Sequence, residues 1–434
     1  MTLSIAQSVV HRAFVAFALL VAPACPAFAQ QAPTEPFLRV TEANEGLNVT
    51  LEVAIRRFVH EDKSRPVVFL ASAVHIADRS FYKELQRFLD ARDLVLFEAV
   101  KPAGAGDYSD PALTDEQRHN MAERQVLFIA GAAEVFREEH GTYPRDTDDF
   151  LANLPGDMSS LVRGALTDPW GRPLIFRGEG GACAQPESYD IVSLGSDGAE
   201  GGEGPEADIT RSRFRDGRIT IPTSEDGIQA KLADALGLTF QLNEMSHEGE
   251  NWRNSDLSMD QIMDRMGGSG ESADALFESL KGEGISIKLA GVLLKLVKLS
   301  PSMQAMIKVM LVEVLGSADG FLSAVPPEMQ GLLDVLIHDR NDAVQRDIDI
   351  AIQSRPDLRE IAIIYGAGHL PDLQKRLEDE MGYSPAGDTW LRAIKLDLSE
   401  SGMTAKQAQQ LRTMLRKSLE QQLKAMQKTG GRSR

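Results

Sequence analysis

The 434-residue sequence carries 46 Lys and Arg residues against 64 Asp and Glu residues, which gives a formal net charge of −18. Nucleic acid and anionic lipid surfaces repel so acidic a chain, so neither is expected as a partner. A chain of this length favours two or three domains over one.

The first 29 residues have the pattern of a cleavable signal peptide. Arg12 precedes an apolar run over Ala13–Val21, and Ala27-Phe28-Ala29 supplies the small residues of a cleavage site. A membrane anchor is the weaker alternative, because the run is short for a span and two prolines follow it. We therefore predict a Sec-type exported protein, periplasmic or secreted. Cleavage leaves Cys183 as the one cysteine, so no intramolecular disulfide is expected.

Two blocks of the sequence combine short apolar runs with amphipathic helical patterns. The first block reads β-β-α-β, with strands over 47–58, 66–74 and 94–97 and a helix over 80–91. The second block has a strand over 361–365, a helix over 371–377 and a further strand over 389–396. This order predicts an α/β domain with a largely parallel sheet covered by helices.

The region between the blocks changes composition twice, and this divides the chain. Residues 113–212 carry one helix and then a Gly/Pro/Asp-rich stretch with short strands, whereas 225–336 are helical in pattern. The predicted organisation is a signal peptide (1–29), a first α/β part (38–112), an inserted α+β domain (113–212), a helical section with the second α/β part (213–398), and a C-terminal basic helix or tail (399–434).

Three polar side chains follow predicted buried strands. His75 comes directly after the second strand, Glu98 after the third, and His369 after the strand at 361–365. The carboxyl ends of parallel strands line one crevice, so these side chains are expected to converge. Two imidazoles and a carboxylate suit a divalent ion that activates water. A hydrogen-bonded structural histidine and a helix-capping glutamate are the alternatives.

Residues 68–100 resemble the opening motif of the TraB/PrgY/TIKI superfamily, which includes the GumN-like bacterial proteins. That motif is an apolar strand, G-x-x-H, an aromatic-bearing helix and a strand ending in Glu. Later landmarks follow in order: Leu236-Gly237-Leu238, Asn254-Ser255-Asp256-Leu257, Arg340-Asn341 and a second G-x-x-H in Gly366-Ala367-Gly368-His369.

This resemblance implies a site made of His75, Glu98, Arg340 and His369. His75, Glu98 and His369 would act as ligands of a divalent metal or as acid/base groups in a hydrolase. For the TIKI branch of the superfamily, the implied activity is that of a metal-dependent protease. Arg340 would hold a substrate carboxylate or the oxyanion. Ser72 stands where the family has the first Gly. If that Gly permits an unusual backbone angle, the site is altered in this protein.

A second constellation lies in the Gly/Pro/Asp-rich stretch. Asp197 and Asp208 flank a glycine-rich loop that could fold back around one hard cation, with backbone carbonyls completing the shell. The alternative from composition is a flexible acidic linker.

Residues 114–210 resemble the C-terminal domain of the major pseudopilin of type II secretion (GspG). The matching motifs are Gly141-Thr142-Tyr143-Pro144, Asp168-Pro169-Trp170-Gly171, Ser193-Leu194-Gly195-Ser196-Asp197-Gly198 and a closing Asp208-Ile209. The resemblance implies calcium bound by the Asp197 and Asp208 carboxylates and the Leu194 carbonyl. The fibre-building hydrophobic helix of pseudopilins has no counterpart here, so the domain is expected to recognise a partner rather than to polymerise.

Two classes of function follow from the sequence. In the first, the protein is a metal-dependent hydrolase acting on peptides, and its inserted calcium-binding module positions a substrate or partner in the cell envelope. In the second, it is a non-catalytic envelope accessory protein linked to type II secretion.

Overall fold

The computed structural model describes residues 36–106, 108, 113–154, 156–178, 189–214, 236–266, 300–317 and 330–430. The predicted signal peptide, Cys183 and parts of the predicted helical section lie outside the described residues.

The strands are short except for two that exceed twelve residues. In chain order they are β1 (Leu38–Ala43), β2 (Asn48–His60), β3 (Val67–Ala73), β4 (Ile76–Ala77), β5 (Leu94–Phe97), β6 (Ile175–Gly178), β7 (Tyr189–Ser193), β8 (Ile209–Thr210), β9 (Thr239–Phe240), β10 (Trp252–Asn254), β11 (Glu360–Gly366) and β12 (Tyr383–Asp397).

The helices include a single π-helical segment among the described residues, Asp334–Asp339, between the eighth and ninth helices. In chain order the helices are α1 (Arg79–Asp90), α2 (Asp115–His140), α3 (Thr147–Ala152), α4 (Gly156–Gly164), α5 (Gln241–Glu244), α6 (Met259–Arg265), α7 (Pro301–Leu315), α8 (Gln330–Leu333), α9 (Arg340–Ser354), α10 (Leu370–Asp379) and α11 (Ala405–Gly430). Short 3₁₀ turns occupy Asn44–Gly46, Gly204–Glu206, Arg211–Phe214 and Leu398–Ser401. None of these described helices is long and apolar enough to cross a membrane.

The chain divides into two compact units. Unit 1 takes the described residues up to Glu98, those within 224–251 and those beyond 270, and unit 2 takes those within 99–223 and 252–269. The motif Asn254-Ser255-Asp256-Leu257, grouped above with the helical section, therefore lies in unit 2.

Unit 1 is built on a mixed sheet in an α/β arrangement. β3, β11 and β5 are parallel neighbours, with β11 in the middle. β2 pairs antiparallel with β12 along its whole length, and with β1 and β3 over its two halves. The expected largely parallel sheet is therefore wrong for β1, β2 and β12. Only residues 61–66 join β2 to β3, too few for the crossover that a parallel pair requires.

Apolar faces of the sheet and of two helices form the core of unit 1. Leu70, Leu96 and Ile363 from the parallel strands pack against Ile348 of α9 and Leu373 of α10. The strands read as continuous apolar runs because both of their faces are covered. α1 buries Phe81, Tyr82, Leu85 and Leu89.

Unit 2 is an α+β arrangement around α2. A capping box begins α2, because the Thr114 side chain accepts from the Gln117 N–H and the Gln117 side chain accepts from the Thr114 N–H. β6, β7 and β8 form an antiparallel sheet in chain order. Phe128, Ile129 and Phe136 of α2 pack with Ile191 and other buried residues of this sheet.

Candidate functional site

The carboxyl ends of β5 and β11 lie side by side in unit 1. Ile364 of β11 pairs with Phe97 of β5, so Glu98 comes next to the end of β11. The Gly366 N–H donates to Glu98 Oε2 at 2.6 Å. The His369 N–H donates to the Gly366 carbonyl at 2.9 Å, a tight turn that carries the chain into α10. This turn places the His369 side chain over the same end of the sheet.

Arg340 completes a cluster with Glu98 and His369. Arg340 Nη2 donates to Glu98 Oε1 at 2.7 Å, and Nη1 lies 3.3 Å from His369 Nε2. His369 Nε2 and Glu98 Oε1 are 3.5 Å apart. The side chains of Glu98, Arg340 and His369 are 22%, 10% and 6% exposed. Arg340 begins α9 directly after the π-helical segment, a local distortion frequent at functional sites.

His75 is exposed, unlike the other three predicted site residues. Its charge is among those that lower the pKa of Glu98. The structure therefore brings Glu98, Arg340 and His369 into mutual contact range and leaves His75 nearby at the surface. Ser72 lies fully buried in β3, and its Oγ has no hydrogen-bond partner. Its backbone φ is not positive, so the Gly-to-Ser departure causes no strained angle.

Burial and neighbouring charges set the protonation of the cluster. Burial raises the pKa of Glu98, but Arg340, His369, the Gly366 N–H and His75 together lower it to about 2. Burial lowers the pKa of His369 to about 4, against the opposing pull of the Glu98 carboxylate. At neutral pH the cluster therefore holds a carboxylate and a neutral imidazole, the forms in which these side chains ligate a metal.

Arg340 occupies the donor atoms that a metal would use. Both Glu98 Oε1 and His369 Nε2 face its guanidinium N–H groups. Among the described residues, no group of three or more His, Cys, Asp and Glu side chains is arranged to hold a metal ion. In this arrangement a guanidinium supplies the positive charge between the two side chains.

Sequence reasoning missed a second layer of polar residues. Asn341 contacts His369, Asp372 contacts Asn341, and both His338 and Arg376 contact Asp372. Asn341 is fully buried in the structure. The sequence signal that could have pointed to it is the Arg340-Asn341 motif, in which Asn341 follows a predicted site residue. His338, Asp372 and Arg376 carry no signal, because charged residues on amphipathic helices read as solvated faces.

The loop between β7 and β8 forms the candidate calcium site of unit 2. Asp197 is exposed, and its Oδ1 accepts from the Ala199 N–H at 2.9 Å. Asp208 Oδ1 is buried without a hydrogen-bond partner. Leu194 is half-buried at the start of the loop. A buried carboxylate oxygen without a partner is costly, so this atom is a candidate for binding a cation.

The Asp168-Pro169-Trp170-Gly171 turn supports this loop. Buried Asp168 accepts from the Trp170 and Arg172 N–H groups and from Ser193 Oγ. Arg172 in turn donates to the carbonyls of Gly195 and Ser196. The Asp168 turn therefore holds the end of β7 and the start of the loop in place. Arg172 takes part in this contact, which the sequence motif alone did not indicate.

Comparison with known families identifies this part of the chain. Residues 112–212 match the family described as type II secretion system (T2SS), protein G. These residues form a protein G-like domain. The type II secretion system core protein G of Xanthomonas campestris pv. campestris is 32% identical over 99 residues. That match covers 22% of this chain and 66% of the relative, just under two thirds of its length. No solved structure matches the chain.

Proposed function

We propose that the protein is an exported envelope protein whose protein G-like domain binds calcium and recognises a protein partner associated with type II secretion. The observation that carries the proposal is the buried, unpartnered Asp208 Oδ1 beside a glycine-rich loop. The similarity to a secretion-system core protein supports an envelope location and partners in the envelope.

The donor types at the loop suit a calcium ion. Asp197, Asp208 and the Leu194 carbonyl would hold it, and oxygen donors of this kind are the ligands that calcium prefers. Bound calcium would neutralise the two carboxylates and hold the loop between β7 and β8 in one conformation. The Asp168 turn holds the start of the loop through Ser193 Oγ and through the Arg172 side chain.

The start of α2 supports recognition rather than fibre assembly. Thr114 is extended, with φ −73° and ψ 160°, and its side chain caps the helix at its first turn. A helix that begins with a capping box is not the continuation of a longer N-terminal helix on the same axis. The domain is also preceded in the chain by the strands and helix of unit 1.

Removing calcium is expected to destabilise the protein G-like domain. Ligand at 100 times its dissociation constant stabilises a fold by about 2.7 kcal/mol, so chelation should lower the melting temperature by several degrees. The Asp208→Asn and Asp197→Ala variants should lose most of this response. Glu200→Gln, an exposed change in the same loop, should retain it. Calorimetry with and without chelator measures the effect, and an equal response in wild type and both Asp variants would refute calcium binding at this loop.

We propose, as the second candidate, that unit 1 is a metal-dependent hydrolase acting on peptides. The convergence of Glu98, Arg340 and His369 at one end of the sheet favours it, as does the resemblance to the TraB/PrgY/TIKI superfamily. His75, Glu98 and His369 would hold the divalent ion, which when bound supplies an activated water. Arg340 would then turn from these atoms to hold a substrate carboxylate or the oxyanion.

Metal titration separates this proposal from a closed ion pair. Because Arg340 competes for the donor atoms, Arg340→Met is expected to bind Zn²⁺ or Mn²⁺ at least tenfold more tightly than wild type. His369→Gln should abolish stoichiometric binding in both backgrounds. Calorimetric titration and a peptide library supply the measurements. Absence of binding in Arg340→Met, together with hydrolysis unaltered by His369→Ala, would exclude the hydrolase.

A further inference from the structure

We propose that Asn341, fixed by Asp372, is a positioning residue that holds His369 in the Nδ1-protonated tautomer and leaves its Nε2 lone pair facing Glu98 and Arg340. This inference deepens the second candidate function and rests on His369 being its functional imidazole. Its test reads the tautomer itself and needs no activity.

The orientation of the Asn341 amide follows from its partners. One end of the amide lies 2.9 Å from Asp372 Oδ2 and 3.1 Å from the His369 carbonyl. Both partners can only accept, so the group facing them is the NH₂. The other end of the amide, its carbonyl oxygen, therefore faces His369 Nδ1 at 2.8 Å.

The tautomer of His369 follows from that orientation. An amide oxygen can only accept, so Nδ1 carries the proton and donates it to Asn341 Oδ1. The surroundings of the other ring nitrogen agree with this assignment. Arg340 can only donate, and its Nη1 lies 3.3 Å from Nε2, nearer than Glu98 Oε1 at 3.5 Å, so a lone pair on Nε2 suits the nearer contact.

Asp372 is itself held in place by His338 of the π-helical segment and Arg376 of α10. His338 Nδ1 lies 2.9 Å from Oδ1, and Arg376 Nε donates to Oδ2 at 2.6 Å. Arg376 also donates to Asp342, to Gln345 and to the His338 carbonyl. Burial raises the pKa of Asp372, but these donors and Asn341 lower it well below its usual range. Asp372 is therefore an acceptor alone, which fixes the amide as described.

Outer partners of this kind orient ligating or catalytic histidines and set which nitrogen is available. The arrangement aims the free Nε2 lone pair at the point that Arg340 occupies. A proton on Nε2 instead would turn a donor toward that guanidinium and would close Nε2 to both metal ligation and proton abstraction.

The experiment uses the full chain labelled with ¹⁵N-histidine, and His369→Gln identifies the His369 signals among those of the eight histidines. Long-range ¹H–¹⁵N correlation spectra at neutral pH should show a protonated Nδ1 and an unprotonated Nε2. Asn341→Leu should remove this preference and give a mixture or the opposite tautomer.

An isosteric variant guards against simple unfolding. In Asp372→Asn the new NH₂ group can oppose the Asn341 NH₂, so the His369 carbonyl is left as the one fixed acceptor for the Asn341 amide, and the Nε2-protonated form should gain population. The double variant Asn341→Asp/Asp372→Asn restores an acceptor opposite Nδ1 and should recover the wild-type tautomer. A protonated Nε2 in wild type, or a wild-type tautomer retained in folded Asp372→Asn and Asn341→Leu, would overturn the proposal. Either result leaves the metal titration and the calcium test to be decided separately.

Discussion

Replacing Arg340 by Met is expected to lower the free energy of unfolding of unit 1 by about 3 kcal/mol, because it leaves the largely buried Glu98 carboxylate without its cation. The Gly366 N–H remains as a donor but carries no full charge. Urea unfolding followed by circular dichroism measures the loss. Arg355→Met is the matched control. Arg355 and Asp357 form an exposed pair, so this change should stay within about 0.5 kcal/mol.

A double-mutant cycle with Glu98→Gln tests the cause. The double variant should be more stable than the sum of the single losses predicts, because removing both charges leaves neither unpaired. Additive losses would show that Arg340 stabilises the fold by packing rather than by its charge.

The pH dependence of the same variant has a fixed sign. The pKa of Glu98 is about 2 in the folded protein, below its ordinary 4.5, so the stability that this carboxylate contributes is present above pH 4.5 and is lost as pH falls toward 2. Without Arg340, the effect of burial on the pKa of Glu98 is opposed by fewer positive charges, so the pKa rises. Protonation of Glu98 then removes the cost of burying an unpaired carboxylate. The stability gap between wild type and Arg340→Met should therefore narrow as pH falls from 7 to 3. A stability gap independent of pH would show that the loss in Arg340→Met does not come from the charge of Glu98.

Substituting Gly195 by Ala is expected to destabilise the protein G-like domain by about 3 kcal/mol or more and to abolish its response to calcium. Gly195 has φ +60°, and an added Cβ would lie 2.4 Å from the Glu206 carbonyl oxygen and 2.8 Å from that of Ala207. Two backbone segments of the loop would have to separate, which displaces Asp208 and so disrupts the proposed calcium site.

Gly204→Ala isolates this steric contribution. Gly204 has nearly the same φ, +59°, but no atom lies within 4 Å of the added Cβ. Its cost should be the conformational penalty alone, about 1–2 kcal/mol, with the calcium response retained. Thermal unfolding of both variants with and without calcium gives the comparison. Equal losses would mean that the loop does not pack as closely as the Gly195 contacts indicate.

The sequence predicted the residues of the two candidate sites to different extents. Glu98 and His369 could be placed together, because each follows a buried apolar strand and parallel strands end at one edge. The pairing of Asp197 and Asp208 around a cation stays a prediction, which rests on the glycines between them that allow the chain to fold back. The role of Arg340 was not predictable in the same way, since a guanidinium on a helix can face solvent, substrate or a carboxylate.

The antiparallel half of the sheet shows a similar limit. The sequence predicts a strand over 389–396, but β12 begins at Tyr383 and runs to Asp397 against the whole of β2. The exposed residues at its start carry no apolar alternation, and pairing with β2 keeps them extended.

The sequence by itself determined the local structure of this protein: buried strands as apolar runs, the Thr114 capping box, and the Asp168 turn that marks the protein G-like domain. Each depends on neighbours within a few residues, and their spacing is written in the chain. Only the tertiary structure decided which atoms face one another around His369. Asn341, Asp372 and His338 come from three helical segments, and their hydrogen bonds exist only once packing has excluded water and left each buried donor with one available acceptor.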